Sequence, residues 1–123
     1  MKNDLERVPT IVAAARGAVG DELAFTYPEV LEVIRLCTAS GIAVLGVEVF
    51  VVRPEGFQTE HLSIYDQHMK QGAEVQKSEW INYVAENNRD ADEFVRLHPS
   101  GDDHVYVLTT ASWAEFCAAE QMR

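Results

Sequence analysis

IAVLGVEVFVV, residues 42–52, is the stretch of sequence that decides the fold. It is dense in β-branched residues and stops at the turn sequence RPEG of residues 53–56, so we predict a strand over residues 42–52. Its almost continuous apolar character is typical of a central strand covered on both faces, with Glu48 as an odd polar member. The alternating residues after the turn predict a second strand within Gln58–Asp66, and therefore a hairpin.

Two helices are predicted before the hairpin. The pattern of Leu5–Arg16 indicates a first helix, which the glycine-containing stretch of residues 17–20 ends. A second helix is predicted to begin near Thr26 and Glu29, which have capping-box spacing, and to end at Gly41 as the glycine just past its last turn.

The remaining elements follow the hairpin. We interpret Gln67–Lys77 as a loop, Ser78–Leu97 as a long helix capped by its serine, and His104–Thr110 as a third strand. Ser112 and Glu115 have capping-box spacing and predict a short C-terminal helix. The resulting order, α-α-β-β-α-β-α, predicts a single α+β domain over residues 1–123. We expect a small, mostly antiparallel sheet of about three to four strands packed against helices.

The chain is strongly acidic. It contains 20 Asp and Glu against 10 Lys and Arg, which gives a formal net charge of −10. Such a field repels phosphate backbones and attracts basic surfaces, so it disfavours nucleic-acid binding and favours a basic protein partner. Solubility alone also explains an acidic surface, and both interpretations stay open at this point.

The N-terminal sequence MKNDLERVPT carries charges and a proline where a signal peptide needs a continuous apolar stretch. The sequence also contains no uncharged run long enough to span a membrane. Cys37 and Cys117 lie in segments with helical patterns, which is ordinary for small buried side chains in a reducing compartment. We therefore expect a cytoplasmic protein without a membrane partner.

The predicted long helix has one acidic and one apolar face. Placed at helical spacing, four acidic residues fall on one side of it, and two aspartates follow in the next turn. This acidic stripe consists of Glu79, Glu86, Asp90 and Glu93, with Asp102 and Asp103 in the turn. The opposite side is expected to pack on the sheet and consists of Trp80, Ile81, Val84, Ala91, Phe94 and Val95. The stripe is either a docking surface for a basic partner or an ordinary solvated face.

No motif for catalysis or metal binding stands out. The four histidines are scattered, no C-x-x-C or G-x-S-x-G motif occurs, and the glycines do not form a phosphate loop. Cys37 lies on an apolar helical face, where a core position is a better explanation than a nucleophile. We therefore predict no catalytic residue, no metal and no cofactor, and a protein that acts by binding and is not an enzyme.

One combination of segments resembles a known family. PEVLEVIRLCTASG, residues 28–41, runs into IAVLGVEVF, residues 42–50, and Glu79-Trp80 later opens a helix that contains Tyr83 and Phe94. Over roughly residues 28–110 this resembles the immunity protein 40 family of predicted bacterial immunity proteins. Two positions depart from the family pattern: Val47 stands where a second glycine is usual, and Glu48 stands where the family usually has Asp.

The resemblance implies a cytosolic antidote that binds and neutralises a cognate protein toxin encoded beside it. The acidic stripe would then occupy a basic cleft of the toxin by imitating phosphate charge. A different class of function remains open, namely a small metabolite-binding or enzymatic domain. Its pocket would lie between the hairpin and the long helix and would be lined by Tyr65, His68, Trp80 and Tyr83.

Overall fold

The computed structural model describes residues 8–15, 17–19, 22–65, 76–98 and 103–121. In these residues the helices are α1 (Pro9–Ala14), α2 (Glu29–Ala39), α3 (Trp80–Leu97) and α4 (Trp113–Gln121). The strands are β1 (Ala18–Val19), β2 (Glu22–Phe25), β3 (Ala43–Arg53), β4 (Gly56–Tyr65) and β5 (His104–Ala111). The 3-10 turn Lys77–Glu79 leads directly into α3.

The strands form one sheet in the order β1-β2-β5-β3-β4, in which every neighbouring pair is antiparallel. The decisive strand β3 lies between β5 and β4, so that Glu48 pairs with Val107 on one side and with Ser63 on the other. The predicted α+β class, the hairpin and the antiparallel sheet packed against helices are confirmed.

The structure adds two short strands that the predicted element order did not contain. β1 has two residues and β2 has four, so neither is long enough to show an alternating pattern in the sequence. β2 joins the sheet because it pairs with β5, with Ala24 opposite Val107.

The first two helices differ from the predictions mainly at their beginnings. Within the described residues α1 covers Pro9–Ala14, with a proline at its first position, and residues 5–7 and 16 of the predicted helix lie outside them. The Thr26 hydroxyl donates a 2.7 Å hydrogen bond to the Glu29 carboxylate, and α2 begins at Glu29 with Pro28 as its N-cap residue. Gly41 follows α2 with a φ of 71°, which confirms its predicted place.

A capping box starts the 3-10 turn before α3, and another starts α4. Ser78 is not the N-cap of α3, because Glu79 occupies that position, and Gln76 and Glu79 form the capping box of the 3-10 turn. The capping box of α4 is confirmed: the backbone N–H of Glu115 donates to Ser112 Oγ, and that of Ser112 donates to Glu115 Oε1 at 3.0 Å. Of the predicted loop Gln67–Lys77, residues 67–75 lie outside the described residues.

The core lies between one face of the sheet and helices α1, α2 and α3. Its buried members include Ile11, Val30, Val33, Ile34, Cys37, Val47, Val49, Ala91, Val95 and Tyr106. Ala24, Val105 and Val107 form a smaller buried cluster with the half-buried Phe50, which belongs to the other face because side chains alternate along a strand. The sheet is therefore buried on both faces around β3 and β5, as the apolar run of β3 predicted.

The buried side of α3 differs from the prediction at one apolar and two polar residues. Ile81 was predicted to pack on the sheet, but its side chain is 79% exposed. Asn87 and Asn88 are instead buried, with exposed fractions of 3% and 2%. The buried arc of α3 is thus turned away from Ile81, and it contains two amides that need hydrogen-bond partners.

Asn88 connects α3 to the chain segment where α2 ends and β3 begins. Its Oδ1 accepts a 2.7 Å hydrogen bond from the backbone N–H of Val44, and its Nδ2 donates to the backbone oxygen of Ile42 at 3.0 Å. The same Nδ2 donates to Thr38 Oγ1 at 2.8 Å. The pairing of β3 with β5 shifts register between Val44 and Gly46, so the amide of Asn88 satisfies backbone groups beside this irregularity.

We predict that Asn88→Ala lowers the free energy of unfolding by about 2–4 kcal/mol, because it leaves buried backbone groups at Ile42 and Val44 unpaired. Asn87→Ala is the matched control, since Asn87 is equally buried but donates to the Tyr83 carbonyl, which the α-helix already satisfies. We expect the control to cost less than about 1 kcal/mol. Urea denaturation of both variants measures the difference, and equal losses would refute this role of Asn88.

Gly41 provides a second test, because a Cβ atom there would meet no atom within 4 Å. Gly41→Ala should therefore destabilise the fold through the backbone alone, by about 1–2 kcal/mol, since its φ of 71° lies in the left-handed region. Gly41→Asn should cost less, because asparagine tolerates that region better than alanine. Thermal denaturation distinguishes them, and a Gly41→Asn variant no more stable than Gly41→Ala would contradict the explanation.

Candidate functional site

The acidic residues predicted on α3 lie on one flank of the helix. Glu93 is exposed, and Glu86 and Asp90 are half-buried. Helical spacing places the three together, away from the flank that carries Ala85 and Asp92 and faces α2. We call Glu86, Asp90 and Glu93 the acidic flank. Arg89 lies between the two flanks, on the outermost part of the helix.

Glu79 has a structural task that the stripe prediction did not anticipate. Its carboxylate oxygen Oε1 accepts a 3.0 Å hydrogen bond from the backbone N–H of Gln76, within the capping box that starts the 3-10 turn. The residue is exposed but does not belong to α3 itself. Its negative charge therefore stands at the beginning of the helix, where the helix dipole favours it.

Asp103 lies directly before β5 and forms a hydrogen bond with the neighbouring His104. His104 Nδ1 is 2.7 Å from Asp103 Oδ1, and this hydrogen bond holds the pKa of the Asp103 carboxyl below its ordinary value. The backbone oxygen of Asp103 also accepts a 2.6 Å hydrogen bond from Val52. α3 ends near the same strand, because the Tyr106 hydroxyl donates to the backbone oxygen of His98 at 2.7 Å. Asp102, the other predicted turn residue, lies outside the described residues.

Leu97 extends the acidic flank and was not singled out from the sequence. It follows Glu93 by four residues, so it lies on the same side of α3, and its side chain is 71% exposed. The four-residue spacing between Glu93 and Leu97 in the sequence was enough to predict this position. Leu97 therefore gives this side of α3 an exposed apolar group beside its carboxylates.

Two of the four residues predicted to line a pocket are instead packed in an aromatic cluster. The ring of Trp80 lies 5.3 Å from those of Tyr83, Trp113 and Phe116, measured between centroids. Trp80 and Tyr83 are almost fully buried, and this cluster joins α3 to α4. The side chain of Tyr65 and all of His68 lie outside the described residues.

The cysteines differ in their surroundings. Cys37 is buried in the core, and desolvation raises the pKa of its thiol to about 12. Cys117 on α4 is half-buried. At neutral pH the Cys37 thiol is protonated, which makes it a poor nucleophile and agrees with the predicted core position.

Searches of known proteins do not extend this picture. No family model, no curated protein and no solved structure matches the chain. Among the described residues, no three or more His, Cys, Asp or Glu side chains are grouped so that they could hold a metal ion. The helices in that part of the chain are all too short or too polar to cross a membrane.

We predict that a thiol reagent at pH 8 modifies Cys117 in the folded protein and leaves Cys37 unmodified until the protein unfolds. Mass spectrometry of the labelled peptides identifies the modified residue. Rapid modification of native Cys37 would contradict its burial.

The raised pKa of Cys37 also makes the free energy of unfolding depend on pH. Folding favours the protonated thiol, so this contribution to stability is complete below the ordinary pKa of about 9 and is lost as pH rises towards about 12.

Proposed function

We propose that this chain is an immunity protein that binds a protein toxin and neutralises it, using the acidic flank of α3 as its docking surface. The observation that carries the proposal is the position of Glu86, Asp90 and Glu93 on one side of a helix, in a chain of net charge −10. The resemblance of residues 28–110 to the immunity protein 40 family supports the nature of the partner.

Electrostatics supports a basic partner. A protein with this net charge attracts positively charged surfaces, and a local concentration of carboxylates orients the encounter. A toxin that degrades nucleic acid has a basic cleft for phosphates, and carboxylates at regular spacing can occupy such a cleft in their place. The same charge disfavours a nucleic acid as the direct partner of this chain.

Leu97 supplies a different contribution at the same surface. Charges at the edge of an interface mainly accelerate association, whereas an apolar side chain buried in the partner slows dissociation. Glu93 and Leu97 are one helical turn apart and both exposed, so a partner seated on the flank would contact both. We therefore expect the carboxylates to accelerate association with the toxin and Leu97 to slow dissociation from it.

A test begins with the gene neighbouring the one that encodes this chain. Co-expression of that neighbour with and without the chain measures whether growth is rescued. Rescue, together with a purified complex, would support the proposal. A neighbour that is not toxic, or toxicity that the chain does not relieve, would refute it.

The role of the flank is tested by charge neutralisation. The double variant Asp90→Asn/Glu93→Gln should slow association with the toxin by roughly three- to tenfold at low salt and weaken its salt dependence. The control Glu22→Gln/Glu55→Gln makes the same change in net charge at exposed residues outside α3 and should change the rate much less. Equal association rates for the two double variants would remove the flank from the mechanism.

A further inference from the structure

The other flank of α3 borders a groove of about 490 Å³ between α2 and α3. The two helices run in opposite directions, because Gly41 just after α2 contacts Trp80 at the start of α3, while Thr38 contacts Asn88 further along. Ile34, Arg35 and Ala39 of α2 line the groove, as do Ala85, Arg89 and Asp92 of α3. Its volume is within the range of sites that bind small organic molecules.

The polar, uncharged side chains that line the groove, Thr38 and Asn88, are already hydrogen-bonded within the protein. The Thr38 hydroxyl donates to the Ile34 carbonyl at 3.0 Å and accepts from Asn88 Nδ2. Asn88 Nδ2 also donates to the carbonyl of Ile42, so the side-chain N–H groups of Asn88 and the O–H group of Thr38 already have acceptors within the protein. A ligand would therefore meet mainly the methyl groups of Ala39 and Ala85, together with the hydrocarbon of Ile34.

The charged residues at the rim leave one positive charge in excess. Arg35 is paired with Glu32 on α2, and Asp92 accepts a 2.6 Å hydrogen bond from Arg96 on α3. Arg89 is exposed and forms no ion pair or hydrogen bond with any described residue. Its guanidinium is therefore available to a ligand in the groove, and its planar donors suit a carboxylate.

We propose that this groove binds a small organic monocarboxylate, with its apolar part between Ala39 and Ala85 and its carboxylate at Arg89. A single negative charge fits the electrostatics, since the chain as a whole carries −10 and repels an anion more strongly with each additional charge. A neutral apolar molecule would leave Arg89 without a partner. The apolar part of the groove lies on the side of α3 away from the acidic flank, and Arg89 lies between the two.

The test uses octanoate as the probe and 1-octanol as its neutral counterpart, each titrated into isotope-labelled protein and followed by amide chemical shifts. Octanoate should shift amides of residues 34–39 and 85–92 and should bind more tightly than octanol. Arg89→Gln should weaken octanoate binding by about five- to tenfold and leave octanol binding unchanged. The control Arg53→Gln makes the same change in net charge at an exposed residue at the far end of β3 and should leave both affinities within about twofold.

A second variant tests the apolar part. Ala85→Leu places a larger side chain at an exposed position in the groove and should abolish the binding of both probes while the fold, checked by circular dichroism, persists. The proposal is overturned if octanoate causes no shifts up to its solubility limit, if the shifts lie elsewhere, or if Arg89→Gln and Arg53→Gln bind octanoate equally. Any of these results would leave the toxin proposal untouched, because that proposal is tested by rescue and association rate.

Discussion

The carboxamide of Asn88 is the constraint on which the rest of this structure depends. It is buried in α3, and it holds the last turn of α2 and the first residues of β3 through Thr38, Ile42 and Val44. An apolar side chain could fill the same space but could not satisfy the backbone groups beside the register shift in β3. Because a hydrogen bond is directional, Asn88 fixes the rotation of α3 about its own axis as well as its distance from the sheet.

That rotation decides what each side of α3 presents. With Asn88 turned towards β3, Arg89 comes to the outside, Ala85 and Asp92 face α2, and the acidic flank lies on the other side. Trp80 fixes the N-terminal end of the helix, since its Nε1 donates a 2.9 Å hydrogen bond to the carbonyl of Gly41. Two directional contacts on α3 therefore set the positions of both proposed binding surfaces.

The sequence predicted the elements with long periodic patterns and missed the parts that depend on tertiary contacts. β3, β4, β5 and the bodies of α2 and α3 follow from apolar patterns and turn residues. The exposure of Ile81 could not be found in this way, because a helical wheel that treats asparagine as an outward residue centres the buried arc wrongly. Asn88 belongs to that arc because Ile42 and Val44 offer backbone groups that need partners, whereas Asn87 donates to the Tyr83 carbonyl of its own helix. For the candidate site, spacing was sufficient to group Glu86, Asp90 and Glu93, but the capping role of Glu79 depends on a 3-10 turn that no periodic pattern indicates.

A single helix can carry two surfaces of opposite character because the side chains assigned to binding, Glu93 and Leu97 on one flank and Arg89 beside the other, are exposed. The like charges of the acidic flank cost a few tenths of a kcal/mol for each neighbouring pair, which is small beside the buried contacts of Asn88 and the core. Carboxylates act over a distance of about 8–10 Å at physiological salt, whereas Arg89 contributes mainly on direct contact with a carboxylate. Long-range attraction of a basic protein on one flank is thus compatible with short-range recognition of a small anion on the other.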